Sequence, residues 1–246
     1  MRALILPVRT ARLNLREFTK SDFRAVYAFS SDPRVTRYLF FGPRDEDSTA
    51  DYLDGLLASQ RERPRTRFEL AVEEVASGRV IGACDLSFIE RNVVDLGYML
   101  AVDTWGQGLA TEIALALVDA AFFDLHADRV ISTVDVNNGA SIHVLEKIGM
   151  RWEAVFRKHR RAKNRWWDCH LFVLPREVWE ASRAHSTPSQ GPLGYALPAY
   201  APLGRRSSGD ATSAARLPRL PPRPVRGRVS PLAATPIRRA FPCGCS

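Results

Sequence analysis

Apolar and polar residues alternate in Arg12-Leu-Asn-Leu-Arg16, the period of a half-buried strand. Thr19-Lys-Ser-Asp22 then supplies capping side chains, and Phe23, Val26, Tyr27 and Ser30 recur on one helical face until Asp32-Pro33 interrupts. A second helix is predicted from Ser48 to about Arg61, with Tyr52, Leu53, Leu56 and Leu57 at helical spacing and Pro64 beyond its end. Phe68 to Val75, Arg79 to Phe88 and Val93 to Val102 read as an antiparallel meander, turned at Ala76-Ser77-Gly78 and Glu90-Arg91-Asn92. Gln107 to Phe123 is an amphipathic helix, Val130 to Val136 a strand, and Ser141 to Ile148 a short helix stopped by Gly149. Met150 to Arg157 and Trp166 to Leu174 form a closing hairpin, and Pro175 starts a last helix ending near Ala184. The order β-α-α-β-β-β-α-β-α-β-β predicts an α/β protein with one mixed sheet and helices on both faces.

With 246 residues, 46% of them hydrophobic, the chain can bury a substantial core. No apolar run approaches the roughly 18 residues of a membrane span, and Ala3 to Val8 is too short for a signal-peptide core. A cytoplasmic protein without membrane association is expected. The net charge of +8 has one source: from His185 onward nine Arg face one acid, Asp210, while residues 1–184 balance to zero. That stretch also holds eleven of the sixteen prolines and no sustained period, so a folded domain is expected over 1–184 and a disordered Pro/Arg-rich tail over 185–246. The tail could make weak contacts with RNA or the ribosome, could lack a function, or could come from a shifted high-GC reading frame. Cys84 and Cys169 lie in apolar runs and read as buried thiols; Cys243-Gly-Cys245 ends the chain, and no zinc-ligand spacing is present.

The sharpest local chemistry is Val102-Asp-Thr-Trp-Gly106-Gln-Gly108-Leu-Ala110-Thr111, set between a strand and a helix. Two glycines and a small alanine let the main chain approach a ligand, so unpaired amides at a helix N-terminus can face one anion such as a pyrophosphate. A purely structural turn is the alternative. The dinucleotide fingerprint and the Gly-Lys-Ser/Thr of a P-loop are both absent.

In context, the chain resembles the RimJ/RimL branch of the GNAT superfamily of N-acetyltransferases. The matching segments are Thr10 to Arg16 with Ser21-Asp22, Val80-Ile-Gly82, Asp95-Leu-Gly-Tyr-Met-Leu100, Trp105 to Glu112, and Asn138 to Met150. The resemblance spans residues 10 to about 175. It implies a sheet splayed between the strands at Val93 to Val102 and Val130 to Val136, with acetyl-CoA as co-substrate in the gap and no metal. It also implies that the amides of Gly106, Gln107, Gly108, Leu109, Ala110 and Thr111 hold the pyrophosphate. The pantetheine arm would pair with the main chain of Met99 and Leu100, where a bulge would point an amide at the thioester carbonyl. Asn138 and Ser141 match positions facing the pantetheine and its sulfur; for Asn138, helix capping is an equal alternative.

Acetyl transfer needs a neutral amine, and an α-amine (pKa about 8) loses its proton far more readily than a lysine amine (about 10.4). Asp95 stands where the family often has a glutamate and shares a strand face with Gly97 and Met99, so it is the candidate base, with Glu73 or Glu74 as substitutes and an exposed strand-end charge as the bland reading. Many GNAT enzymes carry a tyrosine where this chain has Leu145, which leaves Ser141 as the candidate proton donor, or else a helix-start hydroxyl. His143 is expected in solvent. Asp168 is a candidate acceptor contact, and loops around 40–44 and 158–166 are expected to shape the acceptor pocket. The basic run Arg157 to Arg161 with Lys163 and Arg165 reads as a solvated hairpin or a nucleic-acid contact. The resemblance favours a protein N-terminal amine, such as that of a ribosomal protein, as the acceptor, with a small primary amine such as an antibiotic or polyamine as the rival of the same chemistry. A non-catalytic acyl-CoA-binding regulator is the rival from another class. Monomer and homodimer are equally compatible with the sequence.

Overall fold

The computed structural model describes residues 3–184; the tail, with Cys243 and Cys245, lies outside the described residues. The elements are β1 (Val8–Arg9), β2 (Leu13–Arg16), α1 (Phe23–Ser30), α2 (Pro33–Thr36), α3 (Glu46–Ser59), β3 (Arg67–Glu74), β4 (Val80–Glu90), β5 (Val93–Leu100), α4 (Leu109–Phe123), β6 (Arg129–Asp135), α5 (Gly139–Lys147), β7 (Arg151–Ala162), β8 (Arg165–Pro175) and α6 (Arg176–Ala184). They form one eight-stranded sheet in the order β1-β2-β3-β4-β5-β6-β8-β7. Every neighbouring pair is antiparallel except β5–β6. The α/β reading with a mixed, mostly antiparallel sheet is what the structure has.

Period-two alternation sends the two faces of the sheet into two cores. Leu70, Leu86, Leu96 and Leu100 pack with Ile113, Leu117 and Val118 of α4 on one face. Ala71 and Ala83 pack with Val26 and Phe29 of α1 and Leu53 and Leu56 of α3 on the other. The Trp179 ring of α6 stacks on Phe122 at 4.8 Å, and its Nε1 donates to Asp119 Oδ1 at 2.9 Å.

Several boundaries differ from the pattern-based expectation. α4 starts at Leu109, two residues late, because Gly108 before it is left-handed (φ +77°). Strand β5 stops at Leu100, where residues 102–104 turn as a 3-10 helix. The closing hairpin runs to Ala162 and back from Arg165, because Lys163 and Asn164 both take positive φ, the conformation of a two-residue hairpin turn. β1 and α2 are too short to show a period.

Candidate active site

Strands β5 and β6 pair only at Val93↔Arg129, Val94↔Val130 and Asp95↔Ile131, and then part. At the parting point the Ser132 hydroxyl donates to the Leu96 carbonyl at 2.9 Å. At the far end Trp105 Nε1 donates to the Leu100 carbonyl at 2.9 Å. Main-chain groups alternate sides along a strand, so Leu96, Tyr98 and Leu100 face the gap. The Met99 carbonyl instead lies against Gly82 of β4, where a Cβ would collide with it. This corrects one expectation: Tyr98, not Met99, shares the gap with Leu100. A second correction concerns the bulge. The register runs unbroken from Gly82↔Leu100 to Phe88↔Val94, and the irregularity falls at Phe88/Glu90 instead.

The mouth of the gap is the start of α4. Gly106 and Gly108 are both left-handed, and the first intrahelical bond is Glu112 N–H to the Gly108 carbonyl. The amides of Leu109, Ala110 and Thr111 precede that bond and point out of the helix end. Arg12 braces the turn: its Nη1 donates to the Gln107 carbonyl at 3.0 Å, and its Nε and Nη2 bind Glu112 Oε2 at 2.7 and 2.6 Å. Gln107 Nε2 donates to the Asp103 carbonyl at 3.1 Å. A left-handed turn opening a helix whose first amides are unspent fits the diphosphate of a nucleotide thioester carrier, and the parted strands fit an amide-rich arm laid beside β5. Residues 106–111 with the main chain of Tyr98 and Leu100 would hold it; the bound carrier supplies an acyl thioester.

Across the gap, Asn138 caps α5. Its Oδ1 accepts from Ser141 N–H at 3.2 Å, and its Nδ2 donates to Ser141 Oγ at 3.0 Å. Asn138 is the helix cap weighed for it, and it also holds the Ser141 hydroxyl. Leu145, one turn on, is buried.

The opposite face of the same strands carries acids that pattern reading missed. Cross-strand pairing aligns Arg67↔Ser87↔Asp95 in one row and Glu69↔Asp85↔Gly97 in the next. Gly97 leaves room for Asp85, whose Oδ1 a Cβ there would strike. Burial pushes the Asp95 carboxyl up to about 8, with Asp85 adding repulsion, and its Oδ1 has no hydrogen-bond partner among the described residues. Burial likewise raises Glu69 to about 7, against the pull of Arg67, which donates to it at 2.6 Å. Asp85 is raised by burial too, opposed first by Arg67. Arg44, with its guanidinium 3.9 Å from the centre of the Tyr52 ring and 4.0 Å from that of Phe41, closes this end. The available signal was a lone acid in each of two apolar runs, Phe68 to Val72 and Val80 to Leu86.

Other candidates fall elsewhere. Asp168 is spent on the β7–β8 hairpin, where it accepts from Arg157 Nη1 at 2.8 Å and Lys158 N–H at 2.7 Å, both of which hold its pKa down. Glu73 is tied to Arg16 at 2.6 Å and Glu74 accepts from Ser77 at 2.6 Å. His143 is exposed on α5. The 158–166 turn does meet the segment after α2: Lys163 Nζ donates to the Thr36 carbonyl at 2.6 Å, and Phe40 packs edge-on against Trp167 at 5.7 Å.

A helix start with unspent amides, a parted strand pair beside it and a cluster of acids on the reverse face together suit a thioester-dependent acyltransferase. Residues 12–151 match the acetyltransferase (GNAT) domain. The chain is 32% identical over 168 residues to an uncharacterised N-acetyltransferase, p20, of Bacillus licheniformis, covering 67% of this chain and 93% of that one. A GNAT-family acetyltransferase of Bacillus anthracis superposes with a TM-score of 0.61 at 25% identity, over 69% of this chain and 98% of its own. Spermidine N-acetyltransferase of Vibrio cholerae, solved with CoA and spermine, shares the fold at TM-score 0.60 and 18% identity, over 70% of this chain and 99% of its own. The chain belongs to the GNAT acetyltransferase family. Its activity is acetyl-CoA-dependent N-acetylation. Among the described residues no group of His, Cys, Asp and Glu is arranged to hold a metal, and no helix is long and apolar enough to cross a membrane.

Proposed function

We propose that this enzyme acetylates a small primary amine that carries at least one further positive charge, with Asp95 as the base. The observation that carries the reading is the acid cluster of Glu69, Asp85 and Asp95 on one face of three paired strands, Glu69 beside Asp85 in one row and Asp95 in the row next to it. A cation set among them would relieve their mutual repulsion and desolvation, which Arg67 and, for Glu69, Arg44 offset in part from within. An ammonium group bound there gives its proton to Asp95, and the neutral amine then attacks the thioester carbonyl from the gap. Spermine in the Vibrio cholerae neighbour supports a polycationic acceptor.

A protein N-terminal amine is the second reading. Its pKa of about 8 matches a carboxyl held at about 8, and the RimJ/RimL-like motifs favour it. Free-thiol release from acetyl-CoA, followed over a panel of polyamines, monoamines and short peptides, decides between them. Polyamines are expected to show the highest kcat/KM, with monoamines at least about tenfold lower; a preference for peptides overturns the small-amine reading. Glu69→Gln is expected to raise KM for a polyamine more than for a monoamine.

A further inference from the structure

The Tyr98 hydroxyl has no part in the scheme above. Strand alternation turns its side chain away from the Asp95 face and onto the α4–α5 side, where it packs against the core that includes Leu145. Its oxygen is buried and has no hydrogen-bond partner among the described residues. A buried phenol without an acceptor is rare in a folded protein and calls for a partner that binds there. The polar group facing it is the Ser141 hydroxyl, which pulls down a phenol pKa that burial raises to about 12. Ser141 Oγ accepts from Asn138 Nδ2 at 3.0 Å, which leaves its one proton to be given either to the phenol oxygen or to a ligand. Two hydroxyl donors, one from β5 and one from α5, thus converge beside the gap that the Tyr98 main chain lines.

We propose that Tyr98 is a catalytic residue which, with Ser141, donates a hydrogen bond to the sulfur of coenzyme A as it leaves. The inference rests on the acetyl-transfer reading and deepens it at the donor side. The nitrogen lone pair forms the new C–N bond, the C–S bond breaks with its electron pair going to sulfur, and, because Asp95 already holds the ammonium proton, the second nitrogen proton ends on the departing sulfur, which leaves as the thiol of coenzyme A. The phenol holds its own proton more tightly than a thiol of pKa about 8.5 does, so it steadies the thiolate by hydrogen bonding without being consumed.

The test uses the full-length chain and coenzyme A itself. Calorimetry gives the affinity, the ultraviolet absorbance of the thiolate against pH gives the pKa of the bound thiol, and thiol release gives kcat and KM. Wild type is expected to lower the bound thiol pKa below its free value. Tyr98→Phe should bind coenzyme A within about twofold, raise the bound thiol pKa by about one unit, and lower kcat by about 10- to 100-fold with KM for acetyl-CoA little changed. A thiol pKa equal in wild type and variant overturns the proposal, as does a loss of coenzyme A affinity as large as the loss of kcat, which marks a packing role. Should Tyr98→Phe fail to fold, Ser141→Ala is expected to move the thiol pKa the same way, and an unmoved titration there overturns the pair. A wild-type chain that binds no coenzyme A defeats the acetyl-transfer reading and this inference with it. One that binds coenzyme A but turns over no amine defeats only the acceptor reading, since the thiol titration still decides Tyr98.

Discussion

Asp95 sits in an environment that makes a carboxyl a useful base near neutral pH, because burial first and Asp85 second disfavour its charge. It accepts a proton only when ionised, so kcat/KM is expected to rise with pH through about 8. Asp95→Asn should remove that limb and lower kcat by about 10²-fold, with coenzyme A affinity unchanged by calorimetry. The same shift has a stability consequence of opposite sign. A carboxyl whose pKa rises from about 3.9 unfolded to about 8 folded adds stability that is fully present below pH about 4 and is lost as pH climbs through about 8. Asp95→Asn is therefore expected to melt higher than wild type at about pH 9 and no higher at about pH 4. Thermal unfolding at the two pH values checks the sign, and a variant that melts lower at high pH would contradict the burial of this charge.

The start of α4 is an element whose shape depends on a neighbour distant in sequence. Glu112 is buried and takes four donors from the segment before β2: Thr10 Oγ1 at 2.6 Å, Arg12 N–H at 2.9 Å, and the Arg12 guanidinium through Nε at 2.7 Å and Nη2 at 2.6 Å. Arg12 in turn holds the Gln107 carbonyl. Glu112→Ala leaves these donors without their acceptor; because Arg12 is about half exposed, the loss is discounted to about 2 kcal/mol, or about 4–8 °C in Tm. It should also weaken coenzyme A binding by loosening the 106–108 turn. Gly108→Glu acts more directly, placing a side chain at φ +77° and an anion at the anion site. Coenzyme A binding is expected to vanish in calorimetry while the domain stays folded; retained binding would move the diphosphate away from α4.

For the whole molecule, the two cores and the sheet are complete once α6 has laid Trp179 over Phe122 and Phe123. A chain cut after Ala184 is expected to fold and to bind coenzyme A within about twofold of the full chain. A cut before Arg176 should not, because it removes Trp179 from over buried Phe122. Circular dichroism with calorimetry on both truncations checks this, and failure of the first to fold would place the domain boundary inside the tail.

The longer elements, their order and the glycine turn before α4 could be read from the chain because each depends on neighbours a few residues away. Periodicity, caps and glycines report local geometry, and Gly106 and Gly108 announce their turn wherever the helix ends up. Sites assembled from distant strands carry no such mark. Glu69, Asp85 and Asp95 meet only because three strands pair in one register, and a slip of one residue would send each acid to the opposite core. Asp168 shows the same limit from the other side: its place on an alternating strand is compatible with a cleft, but pairing across the hairpin gives it to Arg157 and Lys158. The chain by itself thus determined most of which segments are helix and strand and where a glycine turn opens a helix with unspent amides. Tertiary pairing alone decided which side chains share a face, and so which carboxyls and hydroxyls stand where the chemistry happens.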